Sequence, residues 1–60
     1  MDILIIGLGS MGKRRVRLLR RLRPDSRIIG VDAREDRRAE AAALYGIATA
    51  ASLDEAFAEG

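Results

Sequence analysis

Ile3-Leu4-Ile5-Ile6-Gly7-Leu8-Gly9-Ser10-Met11-Gly12 joins two patterns that meet at residue 7. Four apolar residues, three of them β-branched, predict a short buried strand. Glycines at 7, 9 and 12 then turn the chain into a helix that begins near Ser10 or Met11. In Gly-x-Gly-x-x-Gly between a strand and a helix, each glycine has a task. Gly7 permits the tight turn, Gly9 lets backbone come against a pyrophosphate, and Gly12 lets the helix sit close on the strand. On this reading a side chain at any of the three obstructs. The unpaired amides of the helix's first turn, with the positive end of its dipole, face the phosphate oxygens, so the site is built from backbone.

The glycine pattern alone is short and glycine is common, so its surroundings decide. A second apolar run, Ile28-Ile29-Gly30-Val31, ends in Asp32, which lies 20 residues after Gly12. A carboxylate there accepts hydrogen bonds from a ribose diol. A glycine-rich strand-to-helix turn used only for packing is the competing reading.

Between these runs, Lys13 to Leu22 predicts a first helix, with Met11, Val16, Leu18, Leu19 and Leu22 on one broad apolar face. Lys13, Arg14, Arg17, Arg20 and Arg21 fall on the other. Arg15 lies within the apolar arc. Either its stem packs while the guanidinium snorkels to the sheet's end, or it reaches over the carboxyl edge of the sheet towards a carboxylate or ligand. Arg23-Pro24-Asp25-Ser26 ends the helix, because proline cannot continue it. Arg27 to Asp32 then reads as a second strand, with Gly30 marking a close backbone approach.

Asp36 to Tyr45 predicts a second helix with a small contact face of Ala39, Ala41, Ala42 and Ala43, stopped by Gly46. Ile47 to Ala50 suffices for a short third strand. Ser52-Leu53-Asp54-Glu55 is a capping box opening a third helix through Phe57 and Ala58, with Gly60 at its end. The fold class is α/β. The βαβαβα order predicts a three-stranded parallel sheet in the order 3-2-1, with the first two helices on one face, which is the nucleotide-binding half of a Rossmann fold spanning residues 1–60.

Sixty residues bury only about 60% of the surface that the unfolded chain exposes. Aromatics amount to 3%, Tyr45 and Phe57, so little bulk is available for a core. With no cysteine and no histidine, thiolate metal sites and Ser/His or Cys/His nucleophilic chemistry are excluded within the chain. The acid at Asp2 and the early glycine turn argue against a secretion signal, and no run approaches transmembrane length. We therefore expect a cytoplasmic location and no membrane partner. The net charge is +2, yet eight of eleven basic residues lie between Lys13 and Arg27. A solvated arginine face accounts for most of this, with steering of an anionic cofactor second and nucleic-acid contact last, since that helix has no aromatic to stack bases.

From Met1 to Gly60 the chain resembles the N-terminal segment of the Gfo/Idh/MocA oxidoreductases. The resemblance rests on Ile6-Gly7-Leu8-Gly9-Ser10-Met11-Gly12-Lys13-Arg14-Arg15, Val31-Asp32-Ala33-Arg34, Ala43-Leu44-Tyr45-Gly46 and Ser52-Leu53-Asp54-Glu55-Ala56. It implies NAD as cofactor, with NADP as the alternative. Gly7, Gly9, Ser10, Met11 and Gly12 would line the pyrophosphate, and Asp32 and Arg34 would meet the adenosine ribose. Arg34 could also offset the repulsion between Asp32 and a 2′-phosphate, or stack on adenine. Position 15 is often histidine in the family, so Arg15 departs from the pattern. Family members continue into a fourth strand, a Lys-Pro motif with the catalytic lysine, and a substrate domain. None of these lies within the sixty residues, so the resemblance implies a cofactor-binding segment of a sugar or polyol oxidoreductase that is not catalytic by itself.

Two other readings compete. One is a self-assembling fragment without ligand function, and the other is a basic nucleic-acid-binding module. The open edge of the first strand, whose composition suits a central strand, predicts a two-fold homodimer formed by antiparallel pairing of first strands.

Overall fold

The computed structural model describes residues 2–58. Its elements run β1 (Asp2–Ile6), α1 (Ser10–Leu22), β2 (Arg27–Val31), α2 (Glu35–Tyr45), β3 (Ala48–Ala50) and α3 (Leu53–Ala58). The three strands form one sheet in the order β1-β2-β3. β1 pairs parallel to β2 from Asp2 opposite Arg27 to Ile6 opposite Val31, and β3 pairs parallel to β2 from Ala48 opposite Ile29 to Ala50 opposite Val31. The middle strand is accordingly buried from Ile28 to Val31, as an unbroken apolar run requires.

Alternation along β2 divides the core into two layers. Ile28 joins Ile5, Leu8, Val16, Ala41 and Ile47 on the face carrying α1 and α2, with Ile3, Leu19 and Tyr45 packed around them. Ile29 and Val31 join Ala50 and Ala56 on the face carrying α3. Gly30 belongs to the first layer, and its missing side chain makes the room that Leu8 fills. A Cβ at Gly30 would stand 2.6 Å from Leu8 Cδ2 and 3.2 Å from Ile47 Cδ1. The close approach expected at Gly30 is thus made by side chains rather than by backbone. Leu8, an unspecified position of the glycine motif, is fully buried.

Several expectations change in three dimensions. α1 turns Gly12 and Val16 into the core with Leu19 half-buried, while Met11, Leu18 and Leu22 are more than half exposed. A helix laid on a three-stranded sheet covers it with one narrow stripe, so the broad apolar arc is only partly used. Arg15, on the unused part of that arc, is exposed. On α2 only Ala41 is buried, and Ala39, Ala42 and Ala43 face solvent. α2 begins at Glu35, and β3 begins at Ala48 because Ile47 turns into the core before pairing starts.

The helix ends follow their residues. Gly46 ends α2 in the left-handed region at φ 64°, its N–H donating to the Ala42 carbonyl. At α3 the Glu55 N–H donates to Ser52 Oγ at 3.2 Å, and the Glu55 carboxylate accepts from the Ala51 N–H at 2.9 Å. The return bond of the capping box therefore lands one residue ahead of Ser52. The expected stop at Gly60 lies outside the described residues.

Candidate functional site

The ladders of β2 with β1 and with β3 each continue one residue past the strands, and these extensions assemble the site. The Gly7 N–H donates to the Val31 carbonyl at 2.7 Å, and the Asp32 N–H donates to the Ala50 carbonyl at 3.1 Å. Gly7 and Asp32 consequently leave the carboxyl end of the sheet side by side. Gly7 has φ 89°, which strains any residue with a side chain. At Gly12 an added Cβ would overlap the Gly7 carbonyl, with the carbonyl carbon 2.9 Å away. The sharp turn and the tight seating of α1 are therefore properties of the fold itself.

Gly9 differs. A Cβ there would meet only the Arg37 guanidinium, at 3.6 Å, which is ordinary contact. Among the described residues, no packing demands glycine at this position. Gly9 is the N-cap of α1 and offers no side-chain bond to the first turn, and Lys13 N–H to Gly9 carbonyl, at 3.0 Å, is the first helical bond. Among the described residues, the amides of Ser10, Met11 and Gly12 have no protein partner. α1 also has no acid in its first turn, whereas α2 has Glu35 and Asp36 and α3 has Asp54 and Glu55. No acid of its own first turn compensates the positive end of its dipole.

This helix end opens on a pocket of about 410 Å³ whose walls include Gly7, Gly9, Ser10, Met11 and Gly12, with Arg15 and Arg37 at its margins. All five glycine-motif residues expected at a pyrophosphate meet here. Arg15, exposed on α1, also lines this pocket at the carboxyl end of the sheet.

Asp32 is clasped rather than free. Its Oδ2 accepts the Leu8 N–H at 2.8 Å and its Oδ1 accepts the Arg34 N–H at 2.9 Å. These bonds tie the glycine loop to the β2–α2 loop and hold the carboxyl below its usual pKa; the Leu8 amide contributes most, and Arg37 adds a smaller pull in the same direction. Arg37 Nη1 stands 3.7 Å from Oδ2.

Arg34 stands beside Asp32 at the start of α2. Its guanidinium is engaged by Asp36, Nη2 to Oδ2 at 2.7 Å and Nε to Oδ1 at 3.1 Å. That pairing raises the Arg34 pKa and lowers that of Asp36. The charge that faces Asp32 and Gly9 comes from Arg37, which sequence reasoning missed. Arg38 was missed as well, and it donates to the backbone carbonyls of Asp32 and Ala33 at 2.8 and 3.0 Å. Both lie in the first turns of α2, where side chains lean towards the helix's start, so their spacing from Asp32 was the available signal. Lys13 is half-buried and paired with Glu40 of α2, which removes it from the solvated basic face.

No family model, curated protein or solved structure matches the chain. The site is therefore read from its own geometry.

Proposed function

We propose that the chain binds the ADP part of a nicotinamide dinucleotide, NAD or NADP, as the cofactor-binding half of a Rossmann domain in a Gfo/Idh/MocA-like oxidoreductase. The observation that carries this reading is the bare N-terminus of α1 over an open pocket, beside a glycine at position 9 that the fold does not need. Unpaired amides, a helix start with no acid of its own and two flanking guanidinium groups suit a pyrophosphate. Ser10, Met11 and Gly12 would offer their N–H groups, and Gly9 would leave room for phosphate oxygens. Asp32, with one lone pair of each oxygen used by backbone, retains acceptor capacity for a ribose hydroxyl. Bound in this way, a nicotinamide cofactor supplies hydride transfer. The residues described here contribute binding and orientation. The sugar or polyol substrate follows from the sequence resemblance.

Titration calorimetry with ADP-ribose and with NAD tests the reading. Because the contacts available here suit only the ADP part, the two should bind with similar, weak affinity. Absence of saturable binding by either overturns the proposal.

Self-association is a second reading, compatible with the first. Among the described residues β1 is paired on one side only, Ile6 is 59% exposed, and Met11, Leu18 and Leu22 of α1 are exposed as well. We propose a two-fold homodimer through the β1 edge. Antiparallel pairing centred on Leu4 would set Ile3 against Ile5 of the second copy, a favourable β-branched pair.

A further inference from the structure

Between β2 and α2 the chain crosses from Asp32 to Arg34, and Arg38 grips all three carbonyls of the crossing. Its backbone N–H donates to the Arg34 carbonyl at 3.2 Å, the ordinary first bond of a helix whose N-cap is Arg34. Its guanidinium turns back along the loop, where Nη1 donates to the Asp32 carbonyl at 2.8 Å and to the Ala33 carbonyl at 3.0 Å. Among the described residues no other donor reaches these two carbonyls. The Arg38 side chain is half-buried in making these bonds.

A simpler account is that Arg38 steadies the helix. The sign of its charge opposes this, because Arg38 is the fourth residue of α2 and its guanidinium leans towards the positive end of the dipole, where a cation is unfavourable. What the guanidinium fixes is a peptide. The Ala33 carbonyl and the Arg34 N–H belong to one planar unit, so a bond on that oxygen sets the direction in which the N–H meets Asp32 Oδ1. The other carboxylate oxygen is set from the glycine loop by the Leu8 N–H. With the peptide released, Asp32 would keep only one of these two anchors.

We propose that Arg38 is a positioning residue for the ribose end of the site: by holding the peptide between Ala33 and Arg34 it aims the Asp32 carboxylate at the ribose diol of a bound nucleotide. This rests on the ADP-binding reading above. The guanidinium is spent on backbone and acts through Asp32.

ADP and 2′,3′-dideoxyadenosine diphosphate are the probes, titrated into the full chain by calorimetry. They share charge and base and differ only in the diol. The wild type should bind ADP more tightly of the two. Arg38→Met should weaken ADP about tenfold and leave the dideoxy compound within about twofold. Arg38→Lys, whose ammonium can still donate to a carbonyl, should recover part of the loss. Hydrogen exchange in the ligand-free chain gives a second readout. Arg38→Met should quicken exchange at the Arg34 amide while Ile28 to Val31 exchange as in the wild type, the sign that the fold is kept. No binding of ADP by the wild type would end the ADP-binding reading, and this inference with it. Where the wild type binds ADP, the role of Arg38 is overturned by equal affinity for the two probes, by equal weakening of both in Arg38→Met, by an unweakened ADP affinity, by unchanged exchange at Arg34, or by a lysine variant no better than methionine.

Discussion

At Asp32 one carboxylate holds two loops, and this gives the chain a defined response to acid. A carboxyl whose pKa is lowered on folding contributes stability that is fully present above its unfolded value and is lost as pH falls through the folded value. Asp32 and Asp36 are both lowered, Asp32 chiefly by the Leu8 amide and Asp36 chiefly by Arg34. Stability from these groups should therefore be level through neutral pH and decline only below about pH 4, the ordinary carboxylate range. Chemical denaturation between pH 7 and pH 2 measures this, and Asp32→Asn should lower stability at neutral pH while flattening the acid decline. An unchanged acid slope in Asp32→Asn would remove the clasp from this account. Arg37 bears on cofactor choice. Its guanidinium beside Asp32 partly cancels the charge that would repel a 2′-phosphate. Arg37→Ala should weaken NADP more than NAD, by about tenfold in their ratio, with calorimetry as the readout. Equal losses for the two would assign Arg37 to the pyrophosphate instead.

Among the elements, α3 depends most on its cap. It spans six residues and buries only Ala56. The Ser52 hydroxyl bond to the Glu55 N–H accordingly supplies a large share of what keeps it helical. Ser52→Ala should cost about 1 kcal/mol in urea denaturation, with early hydrogen exchange in residues 53–58. A loss near zero would mean that Ala56 packing alone sustains the helix. β1 has a different vulnerability. Ile5 is 3% exposed and belongs to the core, so a charge there would test folding rather than association. Ile6, at 59% exposure, is the position that probes the edge.

For the whole molecule, small size and an unpaired strand edge point the same way. A domain below about 70 residues seldom gains more than 3–5 kcal/mol from one core, and this core is split into two thin layers by the sheet. If the β1 edge pairs with a second copy, folding is coupled to association and the melting temperature should rise with protein concentration. Ile6→Lys should abolish that dependence and give the mass of a single chain in light scattering, while the circular dichroism at low temperature stays helical. A wild-type melting temperature independent of concentration from micromolar to millimolar would rule the dimer out. No helix among the described residues is long and apolar enough to cross a membrane.

The α/β class and the six elements were legible in the sequence because they rest on local physics. Period-two and period-3.6 patterns, the proline and glycine breaks and the Ser52 cap each act within a few residues. The glycine pocket was legible for the same reason, since Gly7 to Gly12 adjoin along the chain and meet at one helix end. What needed the tertiary structure was every choice between alternatives that local pattern leaves equal. Only the packing of α1 on the sheet determined which part of its apolar arc is buried, leaving Met11, Leu18 and Leu22 outside. Only the β1–β2 register brought Asp32 to the Leu8 amide, 24 residues away. Arg34 pairs with Asp36, and Arg37 comes to face Asp32, because a guanidinium takes the nearest well-oriented carboxylate, and that geometry exists only once α2 is seated beside the loop.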